Sequence, residues 1–118
     1  MTLVDTSVWV DHLRKGNPTL TQLLNGNEVA IHPFIIGELA CGGLKNRSEI
    51  LGLLNELPSA IVADNNEVLQ FIERNHLYGK GLGWIDVHIM ASALLSKANV
   101  LTLDKRFGRT VEKLNILK

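Results

Sequence analysis

Short apolar runs alternate along the chain with longer stretches of helical period. "TLVD" (2–5) has the length of a buried strand, and apolar positions then recur at helical spacing through Val8, Trp9 and Leu13. Thr6 or Ser7 is placed to cap that helix, and "KGNP" (15–18) ends it. A second helix through Leu20, Leu23 and Leu24 stops at Asn25-Gly26, before the strand "EVAIH" (28–32). Pro33 suits the first turn of a third helix, which carries Glu38 and ends at Gly42-Gly43. Residues 46–57 repeat the helical period, "AIVA" (60–63) reads as a third strand, and Asp64 with Glu67 has the spacing of a capping box. The turn "YGKGLG" (78–83) leads into "WIDVHIMASALLSKA" (84–98), which is apolar on nearly every side, as a central buried helix must be. "NVLTLD" (99–104) is a fourth strand, a basic helix follows, and "NILK" (115–118) forms a fifth, edge strand. Strands alternating with helices in this way predict an α/β domain around a mainly parallel sheet of four to five strands.

Composition narrows the picture. A chain of 118 residues, 46% hydrophobic and 20% charged, suits one folded domain over residues 1–118. Twelve basic and twelve acidic residues cancel, so any nucleic-acid surface must come from the distribution of charge rather than its sum. The lone Cys41 cannot form an internal disulfide, the first residues lack the pattern of a secretory signal, and no apolar run approaches the roughly 20 residues of a membrane span. The expected setting is cytoplasmic, away from membranes.

Four carboxylates break this apolar pattern. Asp5 and Asp104 end strands, Glu38 lies on the apolar "PFIIGELA" helix, and Asp86 interrupts "WIDVHIM". Ligands of open α/β sheets bind beyond the carboxyl ends of the strands, where Asp5 and Asp104 both point and where helix starts can bring Glu38 and Asp86. Gathered carboxylates repel one another, and a divalent cation removes that cost. Oxygen-only donors suit Mg²⁺, with Mn²⁺ as a substitute, and such an ion activates water against a phosphodiester. Thr6, Ser7 and Thr102 are placed to orient the acids or their waters. Lys105 and Arg106, directly after Asp104, are the best candidates to contact the backbone phosphates of such a substrate. His12, His32, His76 and His88 lack the spacing of a zinc site and read as structural or surface residues. Trp9, Trp84, Phe34, Phe71 and Phe107 read as core or interface.

"LVDTSVWVDHL", the Glu38 of "IIGELACGG", the Asp86 of "GLGWIDVHIMASAL" and the Asp104 of "VLTLDKRF" together resemble the four acidic motifs of the PIN domain. The size of the chain and the residues around these motifs are similar to VapC toxins, the ribonucleases of type II toxin–antitoxin modules. The resemblance implies a three-layer α/β/α fold and Mg²⁺ held by Asp5, Glu38, Asp86 and Asp104 for RNA cleavage. It further implies a homodimer and a small cognate antitoxin. The "YGKGLGWID" lead is like that of members acting on transfer RNA. A receiver-like signalling domain is the alternative, using Asp5, Asp64 and Lys105 with Mg²⁺. It leaves Glu38 and Asp86 unexplained and lacks a second acid beside Asp5. A non-catalytic dimerisation module with a structural cation is a third reading.

Overall fold

The computed structural model describes all 118 residues. Three parallel strands, β1 (Thr2–Val4), β2 (Val29–Ala30) and β3 (Asn99–Leu101), form a sheet in the order β2-β1-β3. Leu3 pairs with Ala30 on one side and Val100 on the other. Neighbouring residues of a strand face opposite sides, and Thr2, Leu3 and Val4 are all buried, so both faces of the central strand are covered. That is the three-layer α/β arrangement expected. The helices are α1 (Thr6–Lys15), α2 (Pro18–Asn25), α3 (Pro33–Ala40), α4 (Arg47–Glu56), α5 (Asn65–Arg74), α6 (Trp84–Ser96) and α7 (Lys105–Lys113). Helix α6 is buried at every position from Val87 to Ala93 and packs on β1 and β3. Ile89, Met90, Leu3 and Val4 sit at the centre of one cluster of 25 buried apolar residues. Each such side chain contributes about 1.5–3 kcal/mol by leaving water.

The sheet is narrower than the four to five strands expected. Residues 115–118 reduce to a single parallel bridge, Val100 with Leu117, and the segment at 60–63 forms none, the one bridge there joining Ile31 to Ser59, just before it. The cause at 60–63 is tertiary: Ser96 Oγ takes the Ile61 N–H at 2.8 Å and Ser92 Oγ takes that of Ala63 at 3.3 Å. Two hydroxyls of α6 thus occupy donors that a ladder would need. At 115–118, Asn115 adopts φ 60°, which bends the chain into its bridge. The strand expected over 99–104 stops at Leu101 for a related reason. Ser7 Oγ accepts from Leu103 N and Thr102 Oγ1 from Asp104 N, both at 3.0 Å.

Candidate active site

Strands β1 and β3 are adjacent and parallel, so the residues that follow them, Asp5 and Thr102–Asp104, emerge at one edge of the sheet. Helix α6 runs into β3 through a short turn and therefore runs antiparallel to it, which puts the start of α6, with Asp86, at that same edge. Helix α3 begins just after β2 and brings Glu38 alongside α1.

Asp5, not Thr6 or Ser7, occupies the cap position of α1, and its carboxylate makes no capping bond. It turns instead to two hydroxyls. Ser7 Oγ donates to Asp5 Oδ2 at 2.9 Å and Thr102 Oγ1 donates to the same oxygen at 2.8 Å. Asp5 is itself only 8% exposed, so this is a buried, hydrogen-bonded acid at a strand tip. Thr6 Oγ1 donates to Glu38 Oε1 at 2.6 Å, tying α3 to the start of α1. Gly83 N donates to Asp86 Oδ2 at 2.9 Å, which closes the first turn of α6. Asp104 caps α7, accepting from Phe107 N at 3.1 Å through Oδ1. It begins a helix rather than ending a strand.

A single regularity runs through the four acids. Each is anchored by the protein through one carboxylate oxygen, while the other, Asp5 Oδ1, Glu38 Oε2, Asp86 Oδ1 or Asp104 Oδ2, takes no hydrogen bond from any protein donor. Burial pushes the Asp86 carboxyl above its usual range; the Gly83 N–H works against this, and the negative charges of Asp5 and Asp104 add to the rise. Asp86 therefore feels the charges of Asp5 and Asp104 across the corner. The four acids do not close on a single point: no three His, Cys, Asp or Glu side chains stand near enough to enclose an ion as placed. The donor set is oxygen throughout, which fits Mg²⁺ or Mn²⁺ and not zinc.

Of the residues expected to support the acids, Thr6, Ser7 and Thr102 all bond to one of them. Lys105 and Arg106 are the first two residues of α7, exposed at the acidic edge. Arg106 folds back onto the 78–83 turn, where a Cβ at Gly81 would lie 2.7 Å from its Nη1. Asp64, on which the receiver reading depends, is spent as the cap of α5 and follows no strand. Of the two places expected for Trp84, core or interface, the core is ruled out by its 42% exposure. Its position immediately after the glycine-rich turn was the available signal. The backbone N–H of Gly83 carries no signature in sequence beyond its three-residue offset from Asp86.

A parallel α/β sheet with anchored carboxylates beyond the ends of β1 and β3 defines an acidic-site α/β domain. The chain belongs to the PIN-domain family, in its VapC branch of ribonucleases. The PIN domain model matches residues 2–113. The chain is 44% identical over 107 residues to Ribonuclease VapC32 of Mycobacterium tuberculosis, in strains CDC 1551 / Oshkosh and ATCC 25618 / H37Rv, covering 90% of this chain and 86% of the relative.

Proposed function

We propose that the chain is a Mg²⁺-dependent endoribonuclease and the toxin of a type II toxin–antitoxin module, with its whole length forming one PIN domain. The observation that carries this reading is the set of four carboxylates in a PIN-domain chain, each fixed through one oxygen and free at the other. Asp5, Glu38, Asp86 and Asp104 hold the ion, for which Mn²⁺ can substitute. When bound, the ion stabilises negative charge on the phosphoryl group and lowers the pKa of a water that attacks it. Asp5 and Asp86 supply the most buried negative charge at the edge. Thr6 orients Glu38, and Ser7 and Thr102 orient Asp5, each leaving one oxygen for the ion, on which the four carboxylates have still to draw together. Lys105 and Arg106 contact backbone phosphates beside the scissile one. Two cations in the first turn of α7 oppose the positive end of its dipole, so their presence there costs helix stability and supports a ligand role.

The RNA is transfer RNA, on the strength of the "YGKGLGWID" lead. A cognate antitoxin blocks the site. A cleft of about 580 Å³ supports this, lined by Glu38, by the apolar Val10, Leu39 and Ile50, and by Arg14 and Lys45. Those features suit an amphipathic segment with acidic residues. The protein works as a cytoplasmic homodimer; exposed Leu94 and Leu95, with Phe71, line a 250 Å³ cleft between α5 and α6 and offer an apolar face to a second copy. No helix is long and apolar enough to cross a membrane. The test is incubation of the purified chain with RNA and Mg²⁺, followed by end mapping. Internal cuts at defined positions, lost in chelator, are expected; cutting that persists in chelator would refute the metal mechanism, and intact RNA would refute the nuclease.

A further inference from the structure

We propose that Trp84 is the stacking surface for an unpaired base of the RNA held at the carboxylates, an inference that rests on the ribonuclease reading above. The chain has two tryptophans, and they are placed in opposite ways. Trp9 is 4% exposed; Trp84 is 42% exposed. Trp84 opens α6 two residues before Asp86, so the two lie about 3 Å apart along the helix axis. Two residues are about 200° of helix rotation, so ring and carboxylate leave opposite sides of the same helix end, and the base that meets the indole belongs to a neighbouring nucleotide, not to the one at the acids.

The ring is held in place. It meets His88, one turn along α6, edge to face with centroids 4.5 Å apart and planes at 80°. His88 is fully packed and rests in turn on Phe34 at 4.7 Å. A large apolar surface, fixed from beneath and open to water above, is prepared for a flat partner at little cost in ordering. Its surroundings select the kind of partner. The Arg106 guanidinium lies against Gly81, three residues before Trp84, and Lys80 is exposed on the same turn. The one ion pair of the chain joins Lys15 to Asp11, so neither of these cations is neutralised by an acid. An indole flanked by uncommitted cations matches a base flanked by phosphates. Every base has a π face, so this contact adds affinity without reading sequence.

The test uses the Asp5→Asn protein, expected to bind RNA without cutting it, with single-stranded oligonucleotides that carry one abasic position moved along the strand. Trp84→Leu is expected to raise Kd about 5- to 150-fold, and Trp84→Phe less. At one abasic position the loss should already be present with Trp84 and should not grow with Trp84→Leu, because ring and base act as a pair. Without any change at residue 84, saturating RNA should quench the exposed tryptophan and shield it from iodide. Equal Kd values for Trp84 and Trp84→Leu on every oligonucleotide would overturn the proposal, as would fluorescence indifferent to bound RNA. Loss of antitoxin binding by Trp84→Leu with RNA affinity intact would assign the ring to a protein partner instead. These failures leave RNA cleavage by the wild type standing, whereas a wild type that neither binds nor cuts RNA removes the ribonuclease reading and the stacking site with it.

Discussion

Asp86 and His88 lie two residues apart on α6, yet the fold treats their polar atoms in opposite ways. Asp86 has a donor on one oxygen and an open second oxygen. His88 is buried with neither ring nitrogen hydrogen-bonded, and Nε2 of His32 shares that condition. The rings of His32, Phe34, His88 and Trp84 pack on one another with centroids 4.5 to 6.5 Å apart. At the acidic edge, hydrogen bonds fix charges that the fold leaves exposed to a ligand. In the ring cluster, burial holds imidazoles neutral and uses them as flat packing groups: His32 is pushed down to about 4 by burial, with a smaller contribution from His88, which burial lowers as well. The contrast separates polar residues kept for chemistry from those kept for shape. His32 too has one bonded and one free polar atom, and what separates it from the acids is burial, which holds its ring neutral.

The largest effect should come from breaking the acidic side. Asp5→Asn should leave less than about 1% of the RNA-cleaving activity, exceeding the roughly 10–100-fold loss typical of partners that only orient a ligand. Initial rates on a defined RNA would check this, and retention of a tenth of the activity would remove Asp5 from the centre. Next, Thr102→Val deletes the donor to Asp5 Oδ2 and the acceptor for Asp104 N together. Its activity should fall about 10–100-fold, with Thr102→Ser restoring most of it. Failure of serine to rescue would point to packing of the methyl group instead.

The ring cluster should respond to pH rather than to metal. An unfolded chain protonates His32 near pH 6.5, the folded chain only near 4. Between those values the unfolded state holds more protons, so stability falls as pH drops, by about 2 kcal/mol from pH 7 to 5 from this residue. Urea unfolding at the two pH values should show that loss, and His32→Asn, which can still accept the Phe34 N–H, should lack it. Equal pH dependence in both proteins would mean His32 is charged in the fold. A smaller effect, of opposite sign to most mutations, is expected at Asp86. Its raised carboxyl marks a charge held at a cost, so Asp86→Asn should raise Tm in chelator by about 2–4 °C. The smallest concerns the rim: Lys105→Ala and Arg106→Ala, in the Asp5→Asn background, should each lower the slope of log affinity against log salt by about 0.7 without altering sequence preference.

The acidic side was legible in the sequence because charge in an apolar run is conspicuous. Asp5 and Asp86 stand in segments that are otherwise buried, and the alternation of strands and helices places them at one edge, whereas Glu38 and Asp104 turn out to be exposed, Asp104 at a helix start. The ring cluster was not legible. Hydrophobic periodicity counts His32 and His88 as polar, so it cannot announce that they pack as rings, and it leaves Trp84 undecided between core and interface. Residues 60–63 show the same limit from the other direction. Their run has the composition of a strand, but the hydroxyls of Ser92 and Ser96 on α6, about 30 positions away in sequence, compete for the Ile61 and Ala63 N–H groups. Periodicity reports what a segment can bury, and long-range hydrogen bonds decide whether it pairs.

Thermal unfolding across a Mg²⁺ series, with wild type, Asp5→Asn and Asp86→Asn side by side, tests most directly whether the four carboxylates form a metal site. A ligand that binds only the folded state raises Tm with its concentration. The wild type should therefore gain stability steadily with Mg²⁺, while both variants, more stable than wild type or equal to it in chelator, should gain almost none. A rise of the same size in all three proteins, or none in the wild type at millimolar Mg²⁺, would contradict the assignment.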